Sequence, residues 1–190
     1  ADKLGIKLQV TRYQFEDLFS ALAQNKIDVA ASAITITPKR KQTMDFTIPY
    51  FETDLAVVAK ASSPVQIVNL KDIGKYSVGC QSQSTSHQYL TENLVEKDLL
   101  PKEKLKLYPT VIETLGELLN NKIDLMVFDE WVAKTFSEQG EIKVVYTIQT
   151  NEQYGFAMQL GKEINVRINK AMKELKDSGE LENIIKEYMH

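Results

Sequence analysis

Leu22-Ala23-Gln24-Asn25-Lys26-Ile27-Asp28-Val29-Ala30-Ala31 is the stretch on which the fold turns, because the chain repeats its plan later. The echo reads Leu118-Leu119-Asn120-Asn121-Lys122-Ile123-Asp124-Leu125-Met126-Val127. Each copy is a helical pattern, then Asn-Lys-Ile-Asp, then a short apolar run. Leu18, Phe19 and Leu22 sit at helical spacing before the first, and Leu115, Leu118 and Leu119 before the second. Asn25 and Asn121 suit the left-handed turn that ends a helix. The apolar runs have the character of buried strands in a parallel sheet. Restricted turn chemistry alone can make such units look alike. Two lobes built on one plan explain the repeat and the connections together.

Lys60-Ala61-Ser62-Ser63-Pro64 reads as an outward linker and Gln149-Thr150-Asn151-Glu152-Gln153 as a return linker. They enclose a unit with its own strands at Ser77–Cys80 and Leu125–Phe128. The expected division is 1–58 with 154–190 as a discontinuous first lobe, and 59–153 as the second. The chain's end reads as two helical stripes. Ile164, Ile168, Ala171 and Leu175 form one; Leu181, Ile184, Ile185 and Tyr188 form the other. Gly179 is the stop between them.

Composition narrows the function classes. The chain has 190 residues, 43% of them hydrophobic and 26% charged, as in ordinary globular proteins. A net charge of −3 offers no general attraction to nucleic acid or an anionic membrane. The single cysteine, Cys80, forms no intrachain disulfide and no cysteine metal cluster. No apolar run is long enough to span a membrane. No signal peptide is visible at Ala1, so the reading is a cytoplasmic or an already processed chain. No cofactor is expected. The only arginines are Arg12, Arg40 and Arg167.

Ligands of open α/β sheets bind beyond the carboxyl ends of the strands, and three segments occupy that position. After the strand at Val29 come Ala33-Ile34-Thr35-Ile36-Thr37-Pro38-Lys39-Arg40. Thr35 and Thr37 offer hydroxyls, and Arg40 offers a planar fork matched to a carboxylate, the alternative being a solvated surface charge. After the strand at Val78 come Gln81-Ser82-Gln83-Ser84-Thr85-Ser86. A helix start there is an anion site, or Ser84 or Thr85 simply caps it. After the second repeat come Phe128-Asp129-Glu130-Trp131, where Asp129 pairs with an ammonium or caps the next helix. A ligand satisfying all three has a carboxylate and an ammonium close together, which describes an α-amino acid. Phe15, just before a helix, packs on its side chain or belongs to the core.

Five blocks carry a family resemblance. They are Phe15-Glu16-Asp17, Lys26-Ile27-Asp28, Thr35-Ile36-Thr37-Pro38-Lys39-Arg40, Asp45-Phe46-Thr47-Ile48-Pro49-Tyr50 and Tyr154-Gly155-Phe156-Ala157. Across its length the chain resembles the polar amino-acid-binding proteins of ABC transporters, the bacterial extracellular solute-binding proteins of family 3. The resemblance implies an α/β fold of the type II periplasmic-binding-protein kind, with two lobes, a two-strand hinge and closure around the ligand. It implies that Arg40 grips the α-carboxylate, with Thr35 and the backbone at Ala33 at the polar head. Asp129 then holds the α-ammonium, Thr85 adds a donor to the carboxylate, Phe15 stacks on the side chain and Gln81 lies near its far end. Gln81, where glutamine-type members often carry lysine, leans toward arginine or another cationic amino acid, with glutamine next.

The implied partners are a free L-amino acid and an ABC permease. The implied location is periplasmic, or extracellular on a lipid anchor. Family members commonly have glycine at Gln83. They usually begin with a strand, an aromatic-rich loop and a helix, whereas this chain starts where that helix ends, at Ala1-Asp2-Lys3-Leu4-Gly5. The expectation is a first lobe incomplete at its N-terminus. Lys7-Leu8-Gln9-Val10-Thr11 then reads as an edge strand beside an empty slot, with strand exchange in a homodimer as the favoured repair. The rival functions are a dehydratase-like enzyme on the same fold and the ligand-binding module of a sensor. An enzyme needs a placed acid or base. The only candidates are His87, His190, Glu130 and Glu152, none with an evident partner.

Overall fold

Five consecutive residues, Leu55 to Ala59, are entirely buried. They lie in strand β3 (Phe51–Lys60), and successive side chains of a strand point to opposite faces. Leu55, Val57 and Ala59 enter one core with Ile73, Val78, Cys80, Leu90 and Leu125. Ala56 and Val58 enter another with Leu118, Ile123, Met126 and Phe128. A sheet covered on both faces reads in sequence as an unbroken apolar run.

The computed structural model describes residues 1–188, so His190 lies outside the described residues. The chain divides into two units, Ala1–Glu52 with Glu152–His190, and Thr53–Asn151. The second unit holds strands β4 (Val78–Gln81), β5 (Leu105–Tyr108) and β6 (Leu125–Asp129) beside β3 and the early part of β7 (Ile142–Gln159). The order is β7-β3-β6-β4-β5. β4 runs parallel to β5 and β6, while β3 runs antiparallel to β6. Helices α2 (Thr85–Leu90), α3 (Val111–Leu119) and α4 (Glu130–Ser137) belong to this unit.

In the first unit the late part of β7 pairs antiparallel with β1 (Val29–Thr35) and with β2 (Met44–Phe46). Helix α1 (Phe15–Ala23) packs Leu18 and Leu22 against Ala30, Ile34, Met44 and Ala157. The chain ends in α5 (Glu163–Asp177) and α6 (Glu180–Tyr188), separated at Gly179, whose φ of 77° stops the first helix. Asp45 Oδ2 accepts from the Gly161 N–H at 2.8 Å and from Asn165 Nδ2 at 2.7 Å, tying β2 to the start of α5.

The internal repeat survives at the level of single hydrogen bonds. Asn25 and Asn121 take φ of 57° and 58°. Asn25 N–H donates to Leu22 O and Asn121 N–H to Leu118 O, both at 3.1 Å. Lys26 N–H donates to Ala21 O and Lys122 N–H to Glu117 O, both at 2.9 Å. This pair of reverse bonds satisfies the last carbonyls of each helix and turns the chain into the following strand.

Two expectations need correction. Gln149–Gln153 is not a linker loop, because β7 runs through it without a break. The chain passes between the units inside two strands, β3 and β7, and beside the crossing in β7 the Thr150 and Asn151 N–H groups both donate to Asp54 Oδ1 at 2.8 Å. Lys7–Thr11 is not a strand. It carries no regular secondary structure and is exposed, with Leu8 at 74% and Val10 at 79% exposure. Alternating apolar residues fit a pleat, but a strand also needs a ladder partner, and none lies beside this segment among the described residues.

Candidate functional site

In the first unit β1 ends at Thr35, and its last turns are irregular. The pairing with β7 shifts register between Ala30 and Ile34, and Ala33 sits at φ 47°. An alanine in the left-handed region marks a backbone held by its surroundings. The bulge re-aims the end of the strand. Thr35 is buried, and its Oγ1 donates to Glu152 Oε2 at 2.7 Å. A carboxylate only accepts, so the Thr35 proton is committed to Glu152 and its oxygen keeps only acceptor capacity.

Thr37 does a different job from the one its hydroxyl suggested. Its Oγ1 accepts from the Arg40 N–H at 3.1 Å, the first amide of the short 3-10 turn Arg40–Gln42. That turn presents Arg40. The guanidinium donates through Nη1 to Thr35 O at 2.8 Å. Its Cζ stands 5.8 Å from the Phe15 ring centroid and 5.0 Å from that of Phe19. The two rings meet edge to face, 5.5 Å apart at 87°. Phe15 and Phe19 are one helical turn apart on α1, so the same face serves both. Arg40 is thus held in place, and is not a loose surface charge. Phe19 was not among the residues expected beside Arg40, although its spacing from Phe15 carried the signal. Glu152 was weighed only as a catalytic carboxylate, because Thr35 is remote in sequence.

In the second unit β4 and β6 are parallel neighbours, so Gln81 and Asp129 close the same carboxyl edge. Gln81 donates Nε2 to Pro109 O at 3.0 Å, which orients its amide and leaves Oε1 to accept. Ser84 is the cap of α2: its Oγ accepts from the His87 N–H at 3.2 Å and donates to Gln81 O at 2.7 Å. Thr85 is the first helical residue and not the cap. Asp129 stands at the cap position of α4 but makes no capping bond with its side chain. Thr53 Oγ1 instead accepts from the Trp131 N–H at 3.4 Å. Among the carboxylates considered for catalysis, Glu130 accepts from Thr147 Oγ1 at 2.9 Å and pairs with Lys134 at 3.1 Å. Each unit therefore gathers its own expected residues: Phe15, Ala33, Thr35 and Arg40 in the first, Gln81, Thr85 and Asp129 in the second.

The first unit thus holds a strand-end arginine packed on two aromatic rings, and the second a strand-end aspartate that makes no capping bond. The family model of the bacterial extracellular solute-binding proteins, family 3, matches residues 1–190. The chain belongs to that family. The arginine-binding extracellular protein ArtP of Bacillus subtilis (strain 168) is 27% identical over 99% of this chain and 73% of its own length. An ancestral arginine-binding protein bound to arginine superposes with a TM-score of 0.90 at 34% identity, covering 100% of this chain and 83% of that one. The ancestral amino acid-binding protein AncCDT-1, a precursor of cyclohexadienyl dehydratase, superposes with a TM-score of 0.84 at 27% identity, over 100% and 80%. The fold is the type II periplasmic-binding-protein fold. No helix among the described residues is long and apolar enough to cross a membrane.

Proposed function

We propose that this member of the family is an extracytoplasmic receptor for a free polar L-amino acid, which it delivers to an ABC permease. Arginine or another cationic amino acid is favoured, and glutamine is next. The observation that carries the reading is the fixed guanidinium of Arg40, since a planar fork is matched to a carboxylate. Arg40 takes the α-carboxylate, with Thr85 adding a donor. Asp129 takes the α-ammonium, and the lone pairs of Thr35 and the backbone at Ala33 receive its remaining protons. Phe15 forms an apolar wall. Gln81 Oε1, left as an acceptor, favours a ligand whose far end donates.

The same reading places the protein in the periplasm, or outside the cell on a lipid anchor. It also makes the chain a receptor and not a dehydratase. Support for that comes from Glu130 and Glu152, each engaged by a neighbouring hydroxyl. The exposed apolar side chains of Leu8 and Val10 support an exchanged strand in a homodimer. Thermal unfolding against each of the twenty amino acids tests the function, because a ligand that binds only the folded state stabilises it by mass action. Arginine, lysine or histidine should raise the midpoint. A rise with sugars or peptides alone rejects the receptor reading. Turnover of prephenate-like acids restores the enzyme.

A further inference from the structure

Gln83 occupies the left-handed region at φ 58°, where side chains with a Cβ are strained. Its N–H donates to the imidazole Nδ1 of His87 at 3.3 Å. His87 is itself anchored. Its N–H bonds the Ser84 cap, and its carbonyl accepts from Thr91 Oγ1 at 2.8 Å. Ser84 in turn holds Gln81 O. The turn Gln81–Thr85 is therefore laced from Gln81 through Ser84 to His87, and from His87 back to Gln83. No residue of Gln81-Ser82-Gln83-Ser84-Thr85-Ser86 carries a charge, and these neutral bonds shape it together with the one from the Ser82 N–H to Tyr108 O at 2.8 Å.

We infer that His87 is the positioning residue of this turn: its imidazole acceptor holds Gln83 left-handed and thereby sets where Gln81 and Thr85 stand. The consequence for ligand affinity rests on the receptor reading above, and the geometry of the turn does not. Only the neutral tautomer with the proton on Nε2 has a lone pair at Nδ1. Protonation puts a donor there and sets two N–H groups against each other. Burial lowers the His87 pKa from its ordinary value, which keeps the accepting form at neutral pH. The elements packed on α2 are β4, β6 and the π-helical turn Thr91–Val95. Their titratable groups are Cys80, Asp129 and Glu92. Glu92 is engaged by Gln88 Nε2 at 2.8 Å, and burial is the cause of the His87 shift.

The test is NMR titration of the ligand-free protein, following the His87 ring nitrogens and the backbone amide of Gln83 together. The ring should be the Nε2–H tautomer, and the Gln83 amide should move with the same midpoint as the imidazole. His87→Ala should shift that amide upfield and abolish its titration. His87→Asn, whose Oδ1 stands in for Nδ1, should restore the downfield position without pH dependence. A Gln83 amide indifferent to the imidazole titration, or a ring protonated on Nδ1, overturns the proposal. Calorimetry with L-arginine adds the functional arm. Affinity should fall, on the order of three- to tenfold for one lost hydrogen bond, as pH drops through the imidazole midpoint in the wild type, but not in His87→Asn. Equal pH profiles for the two, with arginine bound, count against His87 as a positioning residue. If no amino acid binds at any pH, the receptor reading fails, and the amide titration alone decides the role of His87.

Discussion

Replacing Arg40 should separate its structural role from the grip on an α-carboxylate proposed above. Without ligand, the side chain donates a charge-assisted bond to Thr35 O and lies over two phenyl rings. A bond from a charged donor contributes about 1.5–3 kcal/mol. A cation–π contact contributes about 0.5–1 kcal/mol at an exposed site. Arg40 is half-buried and its truncation lets water reach Thr35 O, so Arg40→Ala should cost about 1–3 kcal/mol of stability. For a chain of this size that lowers the melting midpoint by roughly 2–12 °C. With ligand the loss is greater, because the α-carboxylate is desolvated and then left without its partner. Removing one side of such a pair costs about 2–5 kcal/mol, or roughly 30- to 5000-fold in Kd. Arg40→Lys keeps the charge but loses the fork and the flat stacking on Phe15 and Phe19, so it should fall between the two. Calorimetry with L-arginine, and with its α-decarboxylated amine, makes the assignment specific. The wild-type preference for the acid over the amine should vanish in Arg40→Ala. A folded Arg40→Ala that keeps that preference would refute the reasoning.

Asp129→Ala should not carry the ~1 kcal/mol cost of a lost helix cap, as read from urea midpoints, because the Asp129 side chain makes no capping bond to α4. The same variant should weaken amino-acid binding at least about tenfold. Asn121→Gly should be neutral or stabilising by up to about 1 kcal/mol, whereas Asn121→Val should cost about 1–2 kcal/mol, as read from urea midpoints. Burial raises the Cys80 thiol to about 12, so a thiol reagent should label the native protein only as fast as it opens. The folded thiol keeps its proton where the unfolded one ionises, so this group's contribution to stability is complete below pH 9 and declines as pH rises from there toward 12. Rapid native labelling at pH 8 would contradict that placement.

What the sequence could show depended on the range of each interaction. The helix–Asn–Lys–Ile–Asp–strand units were legible because every bond that shapes them closes within a few residues, from Ala21 to Lys26 and from Glu117 to Lys122. The arginine after β1 was legible for a similar reason: Thr35, Thr37 and Arg40 form one local turn. Phe19 was within reach too, since Phe15 and Phe19 share a helix face. The role of Glu152 was not, because Thr35 and Glu152 are brought together only by the pairing of β1 with β7. Gln149–Gln153 misled for a related reason. Its polar residues look like a loop, yet a strand needs only ladder partners, and polar side chains are tolerated wherever the pleat faces water.

Lys7–Thr11 shows the converse limit. Leu8 and Val10 alternate as a strand should, but the pattern states only which side chains could share a face. A helix satisfies its own backbone, so a good helical stripe needs only a surface to rest on. A strand closes every ladder bond on another segment, and periodicity cannot say whether that segment is at hand. The same asymmetry governs the binding residues. Capping of α2 by Ser84 is a local matter, settled by Ser84 and His87. At the start of α4 the Trp131 N–H donates to Thr53 Oγ1, a hydroxyl that β3 brings there. Whether the first amides of a helix are met by the residue just before them or by a hydroxyl from a distant strand is a matter of sheet pairing, which no local pattern in the sequence records.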